Sequence, residues 1–198
     1  TDAIVNVVRC FEDDNVVHVA GKVDPISDIE VIQTELCLAD LGTVEKALQR
    51  HTKVARSGDK DAQKLVALLE RCQKALDQNL PVRSVEFTKE EQPLIKPMGL
   101  ITAKPAMFVG NVSEDGFENN PFLDRLREYA AKQNAPVVAI CAKIEAELAD
   151  MDEEDKKMFL AEIGQEEPGL NRLIRAAFKL LGLQTYFTAG VKEVRAWT

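Results

Sequence analysis

The sequence predicts an α/β fold interrupted by a helical hairpin, and three observations carry that reading. Short apolar runs at 3–9, 106–111 and 136–141 have the length and composition of buried parallel strands, and helical patterns follow the second and third. Between the first run and the second lie two heptad seams separated by a turn signal. The last residues, "QTYFTAGVKEVRAWT", read as a β-hairpin around Ala189-Gly190.

Composition bounds the class. A chain of 198 residues can hold one ordinary domain, or one domain plus part of another. Its 45% hydrophobic and 29% charged content is ordinary globular usage. A net charge of −8 argues against broad nucleic-acid or membrane binding through the overall field, so DNA and membrane are not expected partners; a local basic patch stays compatible with it. No apolar run reaches the length of a membrane span and no signal-peptide pattern opens the chain, which points to the cytoplasm. Cys10, Cys37, Cys72 and Cys141 have no CxxC spacing and no nearby histidine pair, so they are expected to be reduced, mostly buried thiols. His18 and His51 stand alone, which fits solvated or packing roles better than metal ligation.

Taken in order, "AIVNVVR" (3–9) is the first strand and "CFEDDNVVHVAGKVDP" a polar loop. Asp24-Pro25 opens a long helical pattern, with Ser27 or Asp28 as candidate caps. Cys37, Leu41, Val44, Leu48, His51 and Ala55 then step by 4, 3, 4, 3 and 4; Ala62, Leu65, Leu69, Cys72 and Leu76 step by 3, 4, 3 and 4. The "RSGD" between them is a turn, so the two helices must run antiparallel. Such a pair can pack on a core or stand out as a coiled coil about 30 Å long. The narrow seam and charged flanks favour the second, over 37–97.

Beyond "EEQPLIKPMGL" the α/β rhythm returns. Strand 106–111 leads to a helix at 121–133 with Pro121 in its first turn. Strand 136–141 leads to a helix opening at "AKIEAEL", and "DMDEEDKKMF" begins an acidic helix with a solvated face. In "GLNRLIRAAFKLLGL" (169–183) the apolar spacing is that of an amphipathic helix ended by Gly182. The chain opens and closes inside strand-like runs, whose backbone groups need partners; it is expected to be a piece of a longer protein.

The chemistry concentrates at two strand ends. Asn111-Val112-Ser113-Glu114 is a weak signal as a bare Asn-x-x-Glu, and a polar turn closing a strand would look the same. Its position adds weight, because ligands of doubly wound sheets bind at the carboxyl ends of strands. The next strand ends at Cys141-Ala142-Lys143, so both turns should border one crevice. A nucleoside site needs this combination: side-chain hydrogen bonds to a base edge and backbone N–H groups beside it.

"NVSE", then "CAKIEAEL", with "FTAGVKEVRAWT" at the end, resembles the YchF/Obg-like ATPase family of translation-factor-class P-loop NTPases. "VVRCFEDDNVVHVAGKVDPISDIEVIQTEL" and "EDGFENNPFLDRLREYAAKQ" match as well, as does "EEPGLNRLIRAAFKLLGLQTYFTAGVKEVRAWT". The resemblance runs over essentially the whole chain. It implies residues 1–183 as the C-terminal part of a P-loop G domain, with 37–97 as its coiled-coil insertion and 184–198 as the first hairpin of a TGS domain. It also implies ATP as ligand with GTP weaker, Mg2+ as cofactor, and the ribosome, through its large subunit, as partner. No G-x-x-x-x-G-K-[ST] occurs, so the phosphate loop and the Mg2+ ligands are expected outside this chain, and no catalytic residue is expected within it.

Base choice follows from donors and acceptors. Related GTPases use Asn-Lys-x-Asp, whose carboxylate accepts guanine's N1–H and 2-amino group. Glu114 is one methylene longer and Val112 replaces the lysine, so guanine's donors would meet misplaced acceptors at ~1–3 kcal/mol for each unmade bond. Asn111 could bond N7 and the 6-amino group of adenine. The expected base-binding residues are therefore Asn111, Val112, Glu114, Cys141, Ala142 and Lys143. At the hairpin tip, Lys53, Arg56 and Lys60 make a local positive end on an acidic chain. They are either solubilising or a contact to the ribosome.

Overall fold

The computed structural model describes residues 1–13 and 22–197. His18 lies outside the described residues. The chain divides into two compact units, Thr1–Ile26 with Ala106–Thr198, and Ser27–Pro105.

In the first unit, β1 (Ile4–Arg9), β2 (Ala106–Asn111) and β3 (Val137–Ile140) form a parallel sheet in the order β1-β2-β3. The register pairs Ile4 with Ala106 and Asn111 with Ile140, which aligns the carboxyl ends of all three strands. Central β2 is buried along its length up to Asn111, as an apolar run in a covered parallel sheet should be. Helix α4 (Pro121–Lys132) covers the face that carries Phe108 and Gly110. A Cβ on Gly110 would lie 2.7 Å from the Leu123 side chain, so the missing side chain lets α4 pack directly on β2. Helices α5 (Ala142–Ala149) and α6 (Glu153–Glu162) follow β3. Helix α7 (Gly169–Leu180) packs on β3 and β2 from the opposite face, its first residue against Ile140. The strands β4 (Tyr186–Ala189) and β5 (Val194–Trp197) pair as the antiparallel hairpin that the sequence suggests around Ala189-Gly190.

The helical unit is built on α1 (Pro25–Ala55) and α2 (Lys60–Asp77). Ser27 and Asp28 lie inside α1 and do not cap it. The helix begins one turn earlier because Asp24 Oδ1 accepts the Ile26 N–H at 3.2 Å and Pro25 supplies a preset φ. Asp59 caps α2, its carboxylate accepting the Ala62 N–H at 2.8 Å. The helices are antiparallel: Gln63 donates to the Ala55 carbonyl at one end, while Gln33 donates to Asn79 O and Asn79 to Thr34 at the other. No position of either seam is exposed. Cys37, Val44, Leu69, Cys72 and Leu76 form a core with Val82, Ile95 and Leu100 from the segment that follows α2, which includes the short helix α3 (Gln92–Ile95). The compact unit Ser27–Pro105 includes α1 residues before Cys37, and the return segment completes its core through Leu100.

Helices of both units stop in the same way. Asn79, Asn134, Gly164 and Gly182 each adopt positive φ just past a helix. The following N–H then reaches back to a carbonyl of the last turn, as Leu80 does to Ala75 and Leu183 to Phe178. All four cysteines are buried and free, as expected. Burial pushes the thiols of Cys10 and Cys72 up to about 11, which keeps them protonated at neutral pH.

Candidate functional site

Asn111 ends β2, and its register partner Ile140 ends β3. The two turns that follow therefore start side by side. They are joined by the Asn111 side chain, whose Oδ1 accepts the Ala142 N–H at 3.0 Å. Because the partner is a donor, this bond fixes which way the Asn111 amide faces. Further out, Lys143 Nζ lies 2.5 Å from Glu114 Oε1. The hydrogen bond and the charge of Glu114 hold the Lys143 ammonium above its usual pKa.

Four of the six expected base residues thus meet: Asn111, Glu114, Ala142 and Lys143. The other two lie beneath them. Val112 is 2% exposed and its N–H continues the ladder to the Ile140 carbonyl at 2.9 Å, so its side chain is turned into the core. Cys141 is buried directly before the first turn of α5.

The 111–120 turn is held by a residue that sequence reading passed over. Asn120, 8% exposed, uses every hydrogen-bonding group of its amide. Its Oδ1 accepts the N–H groups of Phe122 and Leu123 at 3.0 and 3.1 Å, capping α4. Its Nδ2 donates to the carbonyls of Cys10 and Gly116 at 2.8 and 2.9 Å, tying the loop after β1 to the turn after β2. The signal was present as Asn-Pro, a cap followed by proline at the first helical position. Gly116 is required in this turn: an added Cβ would sit 2.6 Å from Ser113 Oγ and 3.1 Å from its backbone nitrogen.

The second turn is fixed from α7. Glu145, on α5, accepts the N–H of Gly169 at 2.7 Å and of Leu170 at 3.1 Å, so it caps a helix remote in sequence. Arg172 donates to the Ala139 carbonyl at 3.1 Å and to Gln165 at 2.7 Å, and its guanidinium stands 5.8 Å from the centroid of the Phe117 ring. One side chain of α7 therefore touches β3 and the turn after β2. Neither Glu145 nor Arg172 had a local sequence signal, since each acts on a segment far along the chain.

These bonds leave a definite chemistry. With Oδ1 engaged by Ala142, the Asn111 amide retains its Nδ2–H donors for a ligand, and Glu114 and Lys143 supply opposite charges beside it. Among the described residues no group of three or more His, Cys, Asp or Glu side chains could hold a metal ion, and no phosphate loop is present in the sequence. Lys53, Arg56 and Lys60 are all exposed at the α1–α2 turn.

Across all of its 198 residues the chain is 56% identical to the Ribosome-binding ATPase YchF of Escherichia coli O157:H7, spanning 54% of that protein. With the protein of the same name from Haemophilus influenzae the identity is 58%, again over 54% of its length. With that of Bacillus subtilis it is 53% over 200 aligned residues and 55% of the length. A solved structure of the Schizosaccharomyces pombe YchF GTPase superposes with a TM-score of 0.85 at 29% identity, covering 99% of this chain and 54% of that one. The chain spans about half the length of the curated relatives it matches. No protein-family model matches it.

Proposed function

For this chain, which belongs to the YchF family, we propose the role of base reader in an ATP-binding, ATP-hydrolysing, ribosome-associated P-loop NTPase of the cytoplasm. The observation that carries the proposal is the joining of the two strand-end turns, by Asn111 to Ala142 and by Glu114 to Lys143. Residues 1–183 are then the C-terminal part of the G domain and 184–198 the start of a TGS domain, with the helical unit an insertion between β1 and β2. Asn111 Nδ2 donates to purine N7. Since N7 is an acceptor in adenine and guanine alike, this bond selects purines; the choice of adenine falls to the outer part of the site. Phosphate loop, switch segments and the ligands of Mg2+ belong to residues outside this chain. When bound, Mg2+ supplies charge neutralisation at the phosphates.

Nucleotide competition on the intact protein tests the reading. ATP should compete better than GTP, and Asn111→Ala should weaken both by about tenfold, the loss of one buried hydrogen bond. Equal competition by ATP and GTP would remove the choice of adenine, and an Asn111→Ala variant that binds both as well as the parent would remove base reading from this site. Purified residues 1–198 should show no ATP turnover, because nothing in them can clamp a transferring phosphoryl group; turnover free of contaminants would overturn that.

Two further readings each have a specific observation behind them. The solved neighbour is named a GTPase, and the competition experiment decides between the nucleotides. The exposed Lys53, Arg56 and Lys60 at the hairpin tip fit a non-catalytic docking role toward the ribosome, its large subunit first. Replacing all three by Ala should weaken ribosome co-sedimentation and flatten its salt dependence while leaving nucleotide affinity unchanged. Co-sedimentation equal to the parent at low and high salt would rule the tip out as the docking element.

A further inference from the structure

We propose that Lys143 is the specificity-determining residue of the base site, excluding guanine by holding the Glu114 carboxylate in an ion pair. This deepens the base-site reading above and rests on it. On that reading, Glu114 alone would be the natural counterpart of a guanine-reading carboxylate. In the structure it is already engaged, with Lys143 Nζ 2.5 Å from its Oε1.

Guanine presents N1–H and a 2-amino group as two parallel donors, and one carboxylate must offer both oxygens to accept them. With Lys143 on one oxygen that pairing is incomplete. The ammonium adds three donors and no acceptor, so donors face donors. Adenine differs at both places: its N1 is an acceptor and it has no 2-amino group. An ammonium beside N1 is therefore matched to adenine and mismatched to guanine, and the mismatch is a device of exclusion.

The surroundings assign Lys143 to Glu114. Glu145 has both oxygens occupied by the Gly169 and Leu170 N–H groups. Glu147, one turn along α5, adds to the negative field at Lys143 more weakly than Glu114 does. Asn111, bonded to Ala142, holds the two turns at the separation that the ion pair spans. The side chains are 71% and 54% exposed, so the pair contributes little to the fold and is open to a ligand.

The test measures equilibrium affinities of the intact protein for ATP and for GTP in a double-mutant cycle. Lys143→Met should lower the ATP-over-GTP preference by about tenfold, chiefly by improving GTP binding. In a Glu114→Gln background the same substitution should shift the preference by much less, because no carboxylate remains to be released to guanine. Lys143→Arg, which keeps the cation, should stay near the parent. A preference unchanged in Lys143→Met, or shifted equally in both backgrounds, overturns the proposal and leaves the base site standing. If Asn111→Ala leaves both affinities intact, the base site itself is wrong and the proposal falls with it.

Discussion

Asp40 and Glu114 are both carboxylates held by donors from a distant segment, yet their surroundings are opposite. Asp40 is 2% exposed. Its oxygens accept the N–H of Ile101 at 2.8 Å, the N–H of Thr102 at 2.7 Å and the Thr102 hydroxyl at 2.7 Å. Thr102 Oγ1 in turn accepts the Val82 N–H at 3.0 Å. The knot binds α1 to both ends of the return segment, and no water competes for it. Glu114 has one lysine partner in solvent. A buried acceptor with every donor matched fixes a fold, because removing it strands the donors without water. An exposed pair contributes little to stability, so it can exchange partners when a ligand arrives. Burial decides which role a carboxylate can take.

The largest expected effect follows from that contrast. Asp40→Ala leaves two backbone N–H groups and a hydroxyl buried without an acceptor, and should destabilise the helical unit by about 3–5 kcal/mol. Asp40→Asn keeps one acceptor oxygen and should cost about 1–2 kcal/mol. Denaturant midpoints followed by helix circular dichroism measure both. A loss below ~1 kcal/mol for Asp40→Ala would mean that the packing around Val82 and Leu100 holds the return segment without the knot.

The second effect is smaller and belongs to the other unit. Asn120→Ala removes the cap of α4 and two donations to carbonyls, and should cost about 2 kcal/mol. Amide exchange in residues 113–117 should accelerate, because Asn120 is the tie between that turn and the loop after β1. Unaltered exchange there would show that Gly116 and Ser113 hold the turn by themselves.

The contrast also explains what could be read from sequence. The seams of α1 and α2 were legible because burial repeats every 3.5 residues, and no seam position is exposed. Asp40 was not, since its partners stand 61 and 62 residues away, outside both seams. At the site, the meeting of the two turns was legible, because aligned parallel strands must end together. The roles inside it were less so. Val112 looked like the counterpart of a base-lining lysine, but the ladder runs one bond past Asn111 and takes that side chain into the core. A lysine placed there would put an ammonium among apolar groups, so exchanging base preference by Val112→Lys should unfold the strand end before it changes any ligand.

The smallest expected effect on the fold is at the exposed pair itself, and it can be read on one titration curve. Glu114 raises the pKa of Lys143 above its usual 10.5, first through the hydrogen bond and then through charge. A cation whose folded pKa is raised contributes stability below its unfolded pKa and loses that contribution as pH rises through the higher folded value. The pair should therefore be complete at neutral pH and dissolve only in strongly alkaline solution. Glu114→Gln should move the Lys143 titration, followed by NMR at its Nζ or Cε, back toward the usual lysine range. The unfolding midpoint at pH 7 should not change measurably, because both side chains are largely solvated. Raising the salt concentration should narrow the gap between parent and variant, as screening weakens an exposed pair. If the Lys143 titration is the same in both proteins at low salt, Glu114 is not its partner in solution. The acceptor surface that guanine needs would then be open, and the exclusion of guanine would have to come from the backbone around Ala142.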